Sequence, residues 1–212
     1  MKKLVILSLV LTIVLSACGR IADLELYGGI RDTKDYQRLF GESTDIRGSY
    51  AYINDDDIPE LLISEGDYEA SRVSVFTISE KKRIEYIGTF GSSCGQIDFI
   101  EKSSYIKSSY GNHGSFYQVY SEIGEDVRVI GDLFILQKLD EQPKYYADFC
   151  PEGMSDDDFD YLSYVVPDEY EISENEYNKK LELLDSTKKP GWKTIKYEEM
   201  TDLDSLIRGE HR

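Results

Sequence analysis

Between residues 50 and 149 the apolar side chains recur at alternate positions in short runs, and each run ends in Gly, Ser, Asn, Asp or Pro. Spacing of this period marks half-buried strands. The clearest pair is Ser71 to Ile78, with Val73, Val75, Thr77 and Ile78, and Ile84 to Phe90, separated by the polar break Ser79 to Lys82. That arrangement predicts a hairpin. Further strands are predicted at Gln96 to Glu101, Ser104 to Ser109, Ser115 to Ser121, Val127 to Gln137 and Lys144 to Phe149. Strands in close succession, with no helical run between them, predict an antiparallel meander.

Helical spacing is confined to the two ends. Tyr36, Leu39 and Phe40 predict a short helix within Arg31 to Phe40, and Gly41 to Ser49 reads as a polar turn. Tyr50-Ala51-Tyr52-Ile53 leads into the acidic turn Asn54-Asp55-Asp56-Asp57 and a strand through Ile58-Pro59-Glu60-Leu61-Leu62-Ile63. Later, Met154 to Asp160 reads as an acidic loop and Tyr161 to Val166 as a short apolar run. Ser173-Glu174-Asn175-Glu176 is a capping box that opens a helix to about Leu184, with Tyr177, Leu181 and Leu184 on one face. Lys188 to Gly191 ends it, Trp192 to Tyr197 is a last strand, and Thr201 can N-cap a short helix bearing Leu203, Leu206 and Ile207. The expected fold is α+β, an antiparallel β-meander with short flanking N- and C-terminal helices. With no long linker or exact repeat, residues 18–212 read as one domain, of which 18–29 form a tether.

The first residues have a different purpose. Lys2 and Lys3 precede the apolar run Leu4 to Leu15, broken only by Ser8 and Thr12, which is the pattern of a secretion signal. As a helix, Leu4 to Ala17 would span about 21 Å, short of the roughly 30 Å hydrocarbon core. The run ends Leu15-Ser16-Ala17-Cys18-Gly19 and resembles the bacterial lipobox. That resemblance implies a thioether-linked diacylglycerol on Cys18 and removal of residues 1–17. Cys18 then becomes the first residue of a protein held at the extracytoplasmic face of the cell membrane. One acyl chain holds a protein marginally, whereas two or more hold it stably.

Charge narrows the partners. The 212 residues carry 24 Lys plus Arg against 41 Asp plus Glu, a net charge of −17. This excludes nucleic acid, whose phosphate backbone requires a concentrated basic face. Residues 1–17 hold two lysines and no acid, so their loss leaves −19 on 195 residues. An anionic membrane surface repels such a body, so lipid has to hold it there. With 41% apolar residues the chain still has ample material for a core.

Once Cys18 is lipidated, Cys94 and Cys150 remain as an even pair in an oxidising compartment, which permits a disulfide; two buried, unpaired thiols are the alternative. No CxxC, HExxH or histidine cluster supports zinc or thiol-redox chemistry. His113 sits among glycines in Tyr110-Gly111-Asn112-His113-Gly114, which fits a turn, and His211 is near the C-terminus. Neither has a GxSxG or papain-like cysteine context to make it a catalytic base.

Calcium takes six to eight oxygens, from Asp and Asn at alternate positions of a tight loop and a later carboxylate. Asn54, Asp56 and Glu60 have part of that rhythm. The string resembles the DxNxDGxxE loops of calcium-binding extracellular repeats. With Ile58-Pro59-Glu60-Leu61-Leu62-Ile63 it is also similar to the D-G-x-P-E-L strand entry of uncharacterised Gram-positive surface lipoproteins. Tyr52 stands at the first acid position and Asp57 at the turn glycine. The resemblance covers the signal, the acidic turn, the β-rich middle and, more loosely, the Glu176-Tyr177 helix and the Trp192 segment. It implies calcium as a candidate cofactor and brings no assigned activity. As a bare turn the same residues cap the local backbone, and Pro59 sets the entry to the strand.

The leading expectation is a membrane-anchored module that binds a cell-envelope polysaccharide or protein and performs no chemistry. Tyr105, Tyr110, Tyr117, Tyr120, Tyr145 and Tyr146 could form a stacking face, or could fill strand faces as core. The alternative is a cell-wall or polysaccharide hydrolase with two carboxyls roughly 5 to 10 Å apart. A two-lobed solute receptor ranks last, because β-α-β units are missing from the pattern.

Overall fold

A computed structural model describes residues 26–68, 71–91, 94–112, 114–124, 126–139, 141–149, 168–186 and 191–210. The leader with Cys18, His113, Cys150, the predicted acidic loop Met154 to Asp160, the run Tyr161 to Val166 and His211 lie outside the described residues. The fold is α+β and built from antiparallel sheets, as the alternation predicts.

A 3-10 turn, Leu26–Asp32, leads into α1 (Lys34–Phe40), whose first turn is capped by the Thr33 hydroxyl accepting the Tyr36 N–H at 3.3 Å. Four strands then follow in order: β1 (Arg47–Ala51), β2 (Glu60–Ser64), β3 (Val73–Ile78) and β4 (Ile84–Phe90). The second sheet continues with β5 (Ile97–Ile100), β6 (Tyr105–Asn112), β7 (Ser115–Ile123), β8 (Val127–Leu136), β9 (Lys144–Ala147) and β10 (Glu171–Ile172). After α2 (Glu174–Ser186) the chain returns to both sheets. Strand β11 (Lys193–Ile195) pairs with β5, and β12 (Thr201–Asp202) pairs with β1 before α3 (Leu203–Ile207). The strand orders are β12-β1-β2-β3-β4 and β10-β9-β8-β7-β6-β5-β11.

Strand β2 is buried along its whole length because both its faces are covered. Leu61 and Ile63 point to a layer formed by Tyr27, Ile30, Tyr36, Phe40, Leu203 and Leu206, with Phe76 and Ile78 beside them. Leu62, one residue out of phase, joins Val73 and Val75 against Ile97, Phe99, Ile106 and Ile123 of the second sheet. The period-two pattern thus builds two core layers from one strand. On the second sheet, Tyr120, Leu133 and Ala147 pack under Tyr177 with Leu181, Leu184 and Trp192. The predicted capping box forms: the Ser173 backbone N–H donates to Glu176 Oε2 at 3.0 Å, and the Glu176 N–H donates to Ser173 Oγ at 3.3 Å.

Three sequence expectations are corrected. The fold starts inside the segment read as a tether, because Tyr27 is fully buried and its hydroxyl donates to the carbonyls of Pro59 at 3.0 Å and Phe76 at 3.2 Å. The polar stretch Gly41 to Ser49 ends in a strand, since Arg47 to Ala51 pair with β2 along their whole length. Gly48 is needed there because a Cβ would come within 2.8 Å of Leu206 Cδ2. Finally, Thr201 is a strand residue opposite Gly48, and the cap of α3 is Asp202, whose carboxylate accepts the Ser205 N–H at 2.9 Å.

Candidate functional site

The acidic turn folds around its own backbone. Asn54 Oδ1 accepts the Asp56 N–H at 3.0 Å, and Asp56 Oδ1 accepts the Ile58 N–H at 2.7 Å. Glu60 begins β2 with its side chain inward and no solvent exposure. Its Oε2 accepts the Ile53 N–H at 2.8 Å, and its Oε1 accepts the Thr77 hydroxyl at 3.3 Å. Burial holds its pKa above the ordinary glutamate value, with the nearby backbone N–H donors pulling the other way. The β5–β6 turn clamps the same segment: the N–H groups of Ser103 and Ser104 both donate to the Ile53 carbonyl at 2.8 Å, and the Lys102 ammonium meets Asp57 at 2.8 Å. Asn54, Asp56 and Glu60 therefore each accept a backbone N–H of the turn. Among the described residues no group of three or more His, Cys, Asp or Glu side chains is gathered as metal ligands would be.

The turn forms one wall of a groove of about 950 Å³ between the two sheets. Thr77, Glu85 and Ile87 line it from the first sheet, and Ser104, Ile123, Val127 and Arg128 from the second. Its charged rim comprises Asp55, Asp56, Glu85 and Asp126, all exposed, against Arg128, which is ion-paired to Glu122. The groove is therefore anionic, with an apolar floor. Sequence reading finds the Asn54–Asp57 side of it and misses Glu85 and Asp126, which are far apart in the chain. Their signal is acids beside apolar residues at strand ends, which acquires meaning only once the sheets face each other.

A second polar cluster pins the returning C-terminal segment. Lys107 on β6 is largely buried, with its ammonium 3.8 Å from both Asp98 and Asp185 and 5.1 Å from the centre of the Trp192 ring. Tyr120 donates to Asp185 at 3.0 Å, and Thr194 to Asp98 at 2.5 Å. Burial, reinforced by Asp185, raises the Tyr120 pKa well above the usual phenol value. These groups hold α2 and β11 against the sheet.

Half of the six tyrosines that could form a stacking face fill strand faces as core instead. Tyr117, Tyr120 and Tyr146 are buried in the second sheet's two cores, Tyr105 and Tyr145 are half-buried, and the Tyr110 side chain lies outside what is described. Tyr145 instead packs on Tyr177 with ring centres 5.2 Å apart. Cys94 is an exposed, free thiol in the turn before β5, and its proposed partner Cys150 lies outside the described residues. A carboxylate-pair hydrolase needs a proton-holding acid open to substrate. Glu60, whose pKa burial raises, turns both its oxygens inward and is closed to substrate. No helix among the described residues is long and apolar enough to cross a membrane.

Neither a protein-family model, nor a curated protein, nor a solved structure matches this chain.

Proposed function

We propose that the protein is a lipid-tethered extracytoplasmic lipoprotein of the surface family it resembles, and that it binds a partner at the cell envelope without performing chemistry. The leader and Cys18 support the location, since a positive start, a short apolar run and small residues before a cysteine all fit the same processing. The binding role rests on one observation: the groove between the sheets exposes its acids, whereas Glu60 beside it is spent on the fold. A surface of this kind attracts cationic groups.

Detergent-phase partitioning of the full chain tests the tether. The native protein should enter the detergent phase and Cys18→Ala should stay in the aqueous phase; retention of the variant with detergent would refute lipidation. Mass spectrometry of the purified native chain should find residues 1–17 removed and Cys18 carrying acyl mass.

A further inference from the structure

The sequence has one run of three consecutive cations, Lys81-Lys82-Arg83, and the fold places it at the tip of the β3–β4 hairpin. The loop closes where the Ser79 N–H donates to the Arg83 carbonyl at 2.9 Å and the Lys82 N–H donates to the Ser79 carbonyl at 2.8 Å. Lys82 sits at φ of 56°, the left-handed position that glycine takes at least cost. All three side chains are exposed, and none has an ion-pair partner among the described residues. Lys102, Lys144, Lys180 and Lys193, in contrast, each meet a carboxylate. Glu80 is the loop's one acid, so the tip keeps an excess of positive charge on a chain whose total is −17.

The same hairpin receives the start of the fold. The Tyr27 hydroxyl donates to the Phe76 carbonyl of β3 at 3.2 Å. Tyr27 and Ile30 share one cluster with Ile78 and Ile84, the last pair of the hairpin before its loop. Because Tyr27 is fully buried, the chain cannot swing away from this hairpin without exposing a large ring. Cys18 lies nine residues before Tyr27, a reach of about 30 Å at full extension. A lipid on Cys18 therefore keeps the hairpin within that distance of the bilayer.

We propose that the Lys81-Lys82-Arg83 loop rests on anionic phospholipid headgroups of the membrane that holds Cys18, and that this contact sets which way the body faces. The inference rests on the tether in the reading above and adds a second membrane contact to it. The attraction of a basic residue to an anionic surface fades within a Debye length, about 10 Å at 0.1 M salt. Only cations brought close by the anchor gain from it. The acids that dominate the rest of the surface are repelled, which favours the same orientation.

The test uses the native chain in vesicles of phosphatidylcholine, with or without phosphatidylglycerol. Flotation with the vesicles in high salt reads the tether, and an amine-reactive reagent at low salt reads the loop. Phosphatidylglycerol should slow labelling of Lys81 and Lys82 by about fivefold or more, measured against Lys179, which is exposed on α2. Added salt should restore the rate. Lys81→Gln with Arg83→Gln changes two exposed side chains and leaves Lys82 as the reporter, whose protection should be lost. A chain that floats but labels equally in both vesicles, or a variant that keeps Lys82 protected, would overturn the loop contact and leave the tether standing. Equal protection by inorganic polyphosphate added to phosphatidylcholine vesicles would overturn it in favour of a soluble polyanion. A chain that fails to float in high salt would overturn the tether, and the orientation with it.

Discussion

The carboxylate of Glu60 accepts the backbone N–H of Ile53 at 2.8 Å from a position wholly shielded from solvent. This contact closes the acidic turn from inside and fixes where β2 begins. Because burial raises the folded pKa above the ordinary value of 4.5, the group's contribution to stability is fully present below the unfolded pKa and is lost as pH rises through the folded value. Glu60→Gln keeps an acceptor for Ile53 and removes the titration. The stability of that variant relative to the native chain should therefore grow as pH rises above the ordinary glutamate range. Urea unfolding across pH checks this, and a constant difference would refute it. Glu60→Ala should cost about 1–3 kcal/mol at acid pH, because the Ile53 N–H is left buried and unpaired, and the cost should shrink as pH rises.

The same geometry bears on calcium. The oxygens of Asn54, Asp56 and Glu60 each accept a different backbone N–H of the turn, which holds its shape without an ion. Millimolar calcium should leave the thermal midpoint of the full chain unchanged. A rise that saturates with calcium would show native-state binding by linkage.

Lys107 holds the returning segment between Asp98 and Asp185. Lys107→Met removes the shared cation and leaves Asp98, itself mostly buried, with the Thr194 hydroxyl and no ammonium beside it. The expected loss is roughly 3 kcal/mol or less, since breaking a shielded pair strands a charge. Asp185→Asn should cost less, because its side chain is more exposed and an amide oxygen can still accept from Tyr120. Trp192 is the only tryptophan, so its emission should shift with Lys107→Met. Unchanged emission and stability would mean that the cluster pins nothing. In a double-mutant cycle the two sites should couple by about 0.5–3 kcal/mol.

Two glycines should differ in what they tolerate. At Gly48 an added methyl meets the flexible ends of Leu206 and Leu203, so Gly48→Ala should cost about 1–3 kcal/mol as α3 shifts. Gly91 has φ of 102°, and a Cβ there would overlap the Gln96 carbonyl oxygen, which belongs to backbone. Gly91→Ala should be the more damaging of the two by chemical denaturation. The reverse order would show that the turn into β5 can relax.

Cys94 should react with a maleimide in the native, unreduced chain, because it is free and exposed. Peptide mapping should place the label on Cys94, and Cys94→Ser should remove it. Protection reversed by a reductant would instead establish a disulfide.

Local chemistry made much of this protein legible. The 73–90 hairpin, the strands from β5 to β9 and the Ser173 capping box all follow from interactions within or between neighbouring segments, where the apolar period and turn residues carry the information. The acidic turn was also legible as a turn, because each Asx side chain caps a backbone N–H two residues on.

What escaped the linear pattern depends on partners distant in the chain. Arg47 to Ala51 form a strand because β2 and β12 supply hydrogen bonds on either side, a benefit that a polar stretch with a glycine does not announce. Tyr117, Tyr120 and Tyr146 suit a strand face whether it is wet or dry, and only the packing of α2 and the neighbouring strands buried them. The sequence by itself determined the alternation and the turns, since those depend on residues a few positions apart. The groove rim of Asp55, Glu85 and Asp126, and the sealing of Glu60, were decided by the tertiary structure. Charge becomes a site, or a buried cap, only when separate strands bring it to a shared opening or close it off from water.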